Sequence, residues 1–449
     1  MTAAEARELC RALFLETLPA LRVEPKLRQV VRVRDGILPD KFLEVCGDPY
    51  PLARFRDIRV LAFGKAAVGM AATLGGILEE ARNNSNQRGV VVSAALPSAK
   101  ERLPAFEYFA GGHPYPNEES SRAAEAALAL LYSLSETSLA LFLVSGGGSA
   151  LLEKPLGPAV SLDDLRSFHR LLVGCGASIW ETNVLRKHFS AVKGGRLAAR
   201  AFPATQITLY VSDVPEGMAS TVASGPTLPD ESTLDDCRRI LAHYALREKL
   251  PASYRALLDG RQLTETPKPA HPCFARSRSY GLLSNRDAVD TLVKLAQAKG
   301  LVVEADWSCD DWDYRQAADY LLARLAALRR AHPGRPVALV SGGELSCPVT
   351  GDGLGGRNQA FVLECVPKIA GQPVAVLSAG TDGIDGNSPA CGALADGDTA
   401  ARAAQRGLLP QDFQQRSDSF RFFDRLGDAL LTGPTGTNVR DLRLLLAYG

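Results

Sequence analysis

At 449 residues the chain is too long for one ordinary hydrophobic core, and length alone calls for two or three domains. Apolar residues make up 46% and mean hydropathy is −0.03, as in a soluble globular protein. Lys and Arg number 51 against 50 Asp and Glu, with no run of five like charges, which argues against nucleic-acid and membrane-surface binding.

The first residues, MTAAEARELCRALFLETL, carry acids and an apolar spacing near the helical period, so an amphipathic helix is expected rather than a signal peptide. No run of ~18 apolar residues occurs, so no transmembrane span is expected. The nine cysteines are scattered and form no Cys-x-x-Cys pair, which argues against a disulfide framework or a zinc site and for reduced thiols in a cytoplasmic protein.

Ile58 to Gly64 reads as a strand and Lys65 to Arg82 as a helix. Further strands follow at Gly89 to Ala94, Phe106 to Phe109 and Leu139 to Val144. Asn117 before Glu118-Glu119 marks a helix start, as do Ser161 with Asp164 and Thr233 with Asp236. A helical stretch from Ser178 to Arg200 is broken at Gly194-Gly195, and Ile207 to Val211 is again a strand.

Three prolines fall within Arg261 to Pro272 with no apolar period. This is the best linker candidate and places domains at 1–268 and 273–449. Beyond it come strands at Tyr280 to Leu283, Leu301 to Ala305, Val337 to Val340 and Val374 to Leu377. Helices alternate with them, and the last segment is Asp441 to Leu446. Strands alternating with helices on both sides of the break imply two α/β domains with parallel or mixed sheets. Ligands bind at the carboxyl ends of such strands, so one site in a cleft between the domains is expected.

Polar, glycine-rich clusters follow the strands: Phe63-Gly64-Lys65, Ser145 to Ser149, Lys187 to Arg196, Ser212 to Thr227, Ser341 to Gln359 and Ser378 to Gly386. Taken singly, each has a plain alternative. Glycine after a strand makes a turn, Asp213 and Asp382 read equally as caps, and His113 and His188 as structural residues. Together they offer N–H donors, cations and carboxylates, the parts phosphoryl transfer needs. There is no G-x-x-x-x-G-K-S/T, no dinucleotide fingerprint after a strand and no Gly-x-Ser-x-Gly elbow.

FGKAA, VSGGGSALL, KGGRLA, SDVPEG with ASGPT, SGGE, GGRNQ, SAGTDGIDG and GPTGTNVRDL keep the order and spacing of one family. From about residue 58 to its end, the sequence resembles glycerate 2-kinase of the class with a C-terminal MOFRL domain. The resemblance implies an N-terminal Rossmann-like α/β/α sandwich, a smaller C-terminal α/β domain, and ATP-dependent phosphorylation of D-glycerate to 2-phospho-D-glycerate; Mg2+ is expected with ATP because phosphoryl transfer uses it and the loops carry carboxylates to hold it. It carries Lys65, Asp213 and Arg357 over as catalytic positions. Lys65 and Arg357 would bring positive charge to the phosphoryl group or the glycerate carboxylate. Asp213 would be a base or a magnesium ligand, with Glu344, Asp382 and Asp385 as alternative ligands. Gly64, Ser145, Gly146, Gly147, Gly148, Ser149, Lys193, Gly343, Glu344, Asn358 and Asp382 complete the expected substrate and nucleotide contacts, with Asn285 and Arg286 reaching the nucleotide. The oligomeric state is left open, a homodimer included. The rival readings are an NAD(P)H-dependent hydroxypyruvate reductase, which would need a dinucleotide fingerprint, and a non-catalytic binding protein, which would not need so many ionisable loop groups.

Overall fold

The computed structural model describes residues 1–36, 41–81 and 85–449. Its packing divides the chain into two units, Val23–Leu282, and Met1–Arg22 with Leu283–Gly449. The expected boundary near residue 270 is therefore displaced. The proline-rich segment packs into the first unit, where Thr266 is buried and donates to Asp230 at 2.8 Å. A strand beyond it then completes that unit's sheet.

The opening helix, α1 (Ala3–Thr17), has a reciprocal cap between Thr2 and Glu5. It buries Cys10, Leu13 and Phe14 against the C-terminal sheet, and Arg7 reaches Asp396 at 2.9 Å. After α2 (Val23–Val30), strands β1 (Val31–Asp35), β2 (Lys41–Val45) and β3 (Asp48–Pro51) form a small antiparallel sheet absent from the sequence reading.

The main sheet of the Val23–Leu282 unit begins with β4 (Asp57–Phe63), α3 (Ala67–Glu80), β5 (Asn86–Ser93), β6 (Phe106–Ala110), α4 (Glu118–Leu130) and β7 (Ser138–Val144). The predicted last residue of α3, Arg82, lies outside the described residues. Four helices follow: α5 (Gly148–Leu151), α6 (Leu162–Gly174), α7 (Ile179–Phe189) and α8 (Arg196–Ala201). Then come β8 (Thr205–Val211), α9 (Leu234–His243), α10 (Ala252–Asp259) and β9 (Ser277–Leu283). The strand order is β6-β5-β4-β7-β8-β9, parallel from β6 to β8. The chain starts at the centre with β4, winds out to β6, then returns to lay β7 on the other side. The direction of winding reverses at the β4–β7 seam, the place where doubly wound sheets leave a crevice. Phe63 pairs with Val144 across that seam, so Gly64 and Ser145 emerge side by side. Phe63 and Phe142, both fully buried, fill the core beneath; truncating either would cost ~3–5 kcal/mol.

The second unit adds α11 (Asn285–Ala298), β10 (Val302–Asp306), α12 (Tyr314–Ala331), β11 (Val337–Ser341), α13 (Arg357–Lys368), β12 (Val374–Gly380) and β13 (Gly392–Asp396). It ends with α14 (Thr399–Gln405), α15 (Pro410–Gln415), α16 (Ser419–Leu426), β14 (Ala429–Leu430) and β15 (Asp441–Ala447). Its sheet is mixed, in the order β10-β11-β15-β12-β13-β14. The last strand lies antiparallel between β11 and β12, pairing Ser341 with Arg443 and Gly380 with Asp441. The loops leaving β11 and β12 therefore both pass the first residue of β15. Among the described residues no helix is long and apolar enough to cross a membrane.

Candidate active site

At the β4–β7 seam the two strand-end loops are stitched together. Ser145 N–H donates to Phe63 O at 3.1 Å, Lys65 N–H to Gly146 O at 2.9 Å, and Ala66 N–H to Ser145 Oγ at 3.0 Å. Gly64 has φ +119, and a side chain there would strike the Ser145 backbone, so both conformation and space require glycine. Asp213, after β8, sets its carboxylate against Gly146, where a Cβ would collide with Oδ2. Lys65 is exposed, and its Cγ and the His113 ring both lie 3.3–3.5 Å from where a Gly147 Cβ would stand. Lys65, His113, the loop from Gly146 to Gly148 and Asp213 thus share one rim. The loop's far end is held through Ser149 Oγ, 2.8 Å from Ser224 Oγ, which donates to Asn183 Oδ1 at 2.7 Å.

Lys193, expected at a nucleotide, is buried instead, with 1% exposure. Its amine donates to Leu152 O at 3.2 Å and to the Glu153 carboxylate. Glu153 also accepts Ser190 Oγ at 2.7 Å and lies 3.5 Å from His169 Nε2. Burial alone would raise the Glu153 pKa, but Lys193 and His169 outweigh it and hold it at about 2. The pair supports the Gly194-Gly195 turn, whose N–H groups donate to Ser224 O and Gly225 O at 3.1 and 2.7 Å. Nothing in LLEKP marked Glu153 as its partner.

In the C-terminal unit, Asn285 heads α11. Its Oδ1 accepts Gly343 N–H at 2.7 Å, and its Nδ2 donates to Val439 O and Asp441 O at 2.8 and 3.0 Å. Its amide is engaged in shaping the Gly342-Gly343 turn. Arg286 is exposed and lies over the Trp307 ring at 4.9 Å. Glu344 N–H donates to Asp310 Oδ1 at 3.1 Å, and Asp310 is clamped by Arg440 through two 2.6 Å bonds. Beneath the turn, Arg443 is completely buried and donates to the carbonyls of Gly342 and Gly343.

Arg357, the first residue of α13, reaches both oxygens of Asp441 at 2.6 and 3.2 Å and Glu344 Oε1 at 2.8 Å. Burial would lower its pKa; the two acids more than reverse this and hold the guanidinium charged. Asp382 and Asp441 flank Gly380, 3.2 and 3.4 Å from where its Cβ would stand, and Asp382 Oδ1 accepts Ile384 N–H at 3.1 Å.

Two further residues expected at the site have structural partners. Asp385 turns its oxygens onto the start of α13, accepting N–H groups of Asn358 and Gln359 from backbone and side chain at 2.9–3.3 Å. It is a buried helix cap rather than an open metal ligand, and burial pushes its pKa up to about 6 despite those donors. Asn358 is buried and bonded to Ser378 Oγ at 2.6 Å, so it braces the sheet. Among the described residues no three His, Cys, Asp or Glu side chains stand close enough to cage a metal. Asp441, Asp310, Arg440 and Arg443 carry no site role in the sequence reading; the available signal for Arg440 and Asp441 is the NVRDL run that leads into the last strand.

A doubly wound parallel sheet with glycine loops at its switch point, joined in sequence to a mixed α/β unit rich in buried ion pairs, defines a two-unit α/β protein with loops suited to phosphate. A domain of unknown function, DUF4147, matches residues 9–259 and the MOFRL family matches residues 337–441. D-glycerate 2-kinase of Thermotoga maritima is 35% identical over 95% of this chain and 98% of its own length. Glycerate 2-kinase of Pyrococcus horikoshii is 32% identical over 98% of this chain and 97% of its own. A crystal structure of glycerate kinase from T. maritima has a TM-score of 0.81 at 32% identity, covering 99% of this chain and all of that one. The chain belongs to the glycerate 2-kinase family.

Proposed function

We propose that this chain transfers the γ-phosphoryl group of ATP to the 2-hydroxyl of D-glycerate, giving 2-phospho-D-glycerate and ADP. The observation that carries this reading within the family is the shared rim of Lys65, the Gly146–Gly148 loop and Asp213 at the switch point of the parallel sheet. The substrate's 2-hydroxyl oxygen attacks the γ-phosphorus, the bond to the bridging oxygen of ADP breaks, and the hydroxyl proton passes to Asp213. Lys65 and the loop N–H groups offset the charge on the phosphoryl oxygens. Arg357 adds a guanidinium oriented by Asp441 and Glu344 for a phosphoryl or carboxylate group.

Magnesium fits the chemistry of these loops, because it binds through one or two carboxylates together with phosphate oxygens and water and needs no all-protein cage. Glu344 and Asp382 are the carboxylates that would hold it, and when bound it would neutralise phosphate charge. All nine cysteines are free, which agrees with a reducing cytoplasm.

A nicotinamide-dependent reductase would need a glycine fingerprint after the first strand, but the turn after β4 is Gly64-Lys65-Ala66 with one glycine. Measuring ADP formation with D-glycerate, ATP and magnesium, beside NADH oxidation with hydroxypyruvate, separates the two. Turnover only in the second assay would sink the kinase reading.

A further inference from the structure

A cleft of about 560 Å³ lies on the flank of the Val23–Leu282 unit, between α8 and the segment 264–271. It shares no residue with the rim of Lys65 and Asp213. Two of its lining residues, Arg196 and Arg200, stand four positions apart on α8, so their side chains lie on one face. Among the described residues neither forms an ion pair. Arg196 gives its terminal nitrogens to Thr264 at 3.1 and 2.7 Å, while its Nε is buried with no acceptor. Arg200 gives Nε to Leu128 O at 3.1 Å and stacks over Tyr132 at 4.6 Å.

The other charges at the rim cancel. Lys268 pairs with Glu265 at 2.8 Å, and Glu265 also accepts Leu234 N–H at 2.9 Å. Asp230 and Glu265 act on Arg196 through space, but among the described residues neither guanidinium is joined to a carboxylate in an ion pair. His271 accepts Cys273 N–H on Nδ1 at 3.2 Å, so the neutral ring carries its proton on Nε2 as a donor. Leu128, Leu156, Ala199 and Pro267 supply apolar wall. One arginine satisfies a carboxylate, whereas a phosphate has oxygens for both. The volume suits a small organic molecule. We infer that this cleft binds a small phosphate monoester with an apolar body.

Isothermal titration calorimetry of the full chain with phenyl phosphate tests this without reference to turnover, so it stands or falls apart from the kinase reading. The expected result is saturable binding that weakens as salt rises. It should be at least about tenfold weaker in Arg200→Ala and in Arg196→Gln, and unchanged in Lys65→Ala. Arg200 is exposed, so its variant keeps the fold and its ATP-dependent turnover. Binding unaffected by Arg200→Ala, binding lost in Lys65→Ala, or phenol binding as tightly as phenyl phosphate would each overturn the assignment.

Discussion

Arg357 grips Asp441 with two nitrogens, Nε at 2.6 Å and Nη2 at 3.2 Å from its two carboxylate oxygens. The first residue of a helix and the first residue of the last strand are locked in a two-point geometry that only a guanidinium can make. Asp441 is 2% exposed, so the bond also compensates a buried charge. Glu344 occupies the same guanidinium from the loop after β11. Arg357 is thereby fixed before any substrate arrives, which is what an electrostatic catalyst requires.

Arg357→Ala and Lys65→Ala should each lower kcat by about 10²–10³, ~3–4 kcal/mol, with a much smaller change in KM. Arg357→Lys should recover little, because an ammonium cannot span Asp441 and Glu344. Steady-state kinetics on the folded fraction decides this. A rise only in the KM for glycerate would make Arg357 a uniform carboxylate clamp instead.

Gly146→Ala should push against Asp213 Oδ2 and cut kcat at least about tenfold, ~1.4 kcal/mol, in a protein that still folds. Gly174→Ala is the control, since nothing lies within 4 Å of a Cβ there. Equal kinetics in the two variants would detach Asp213 from the chemistry.

Asp213→Asn keeps the size and removes the charge, so kcat should fall by about 10² or more. Chelation of magnesium should abolish turnover, because the ion would neutralise phosphate charge beside Glu344 and Asp382. Wild-type turnover of Asp213→Asn at saturating magnesium would reduce that aspartate to a turn residue.

The Glu153–Lys193 pair ties stability to pH. The carboxyl falls from its ordinary 4.5 to about 2 in the folded chain. A depressed folded pKa contributes stability that is complete above 4.5 and lost as pH falls toward 2. Urea unfolding should show the loss over that window, and Glu153→Gln should flatten it. The variant should also be less stable at neutral pH, because Lys193 is left buried without its partner. An unchanged acid limb would mean the pair carries no linkage.

The strand-end loops were legible because glycine and polar residues interrupt short apolar runs at the ends of β4, β7, β11 and β12. Local pattern could not show what each element packs against. The spacing of α1 defines a buried face but not that the face meets β12 and β13, far along the chain. Three prolines looked like a linker, yet Thr266 in that segment is held by Asp230 inside a closed unit. Asp441 read as a strand residue; its meaning depends on β15 inserting between β11 and β12, a pairing no local window contains. Lys193 and Asp385 carried the right chemistry for ligands and are spent on burial partners, Glu153 and the start of α13.

Phosphorus NMR of the product from D-glycerate and ATP is the most direct test of the central claim. Transfer to the 2-hydroxyl places phosphorus on an oxygen whose carbon bears one proton, so the proton-coupled signal of the ester should be a doublet. A triplet, from an ester at the terminal carbon with its two protons, or the absence of any new ester while hydroxypyruvate is reduced, would contradict it.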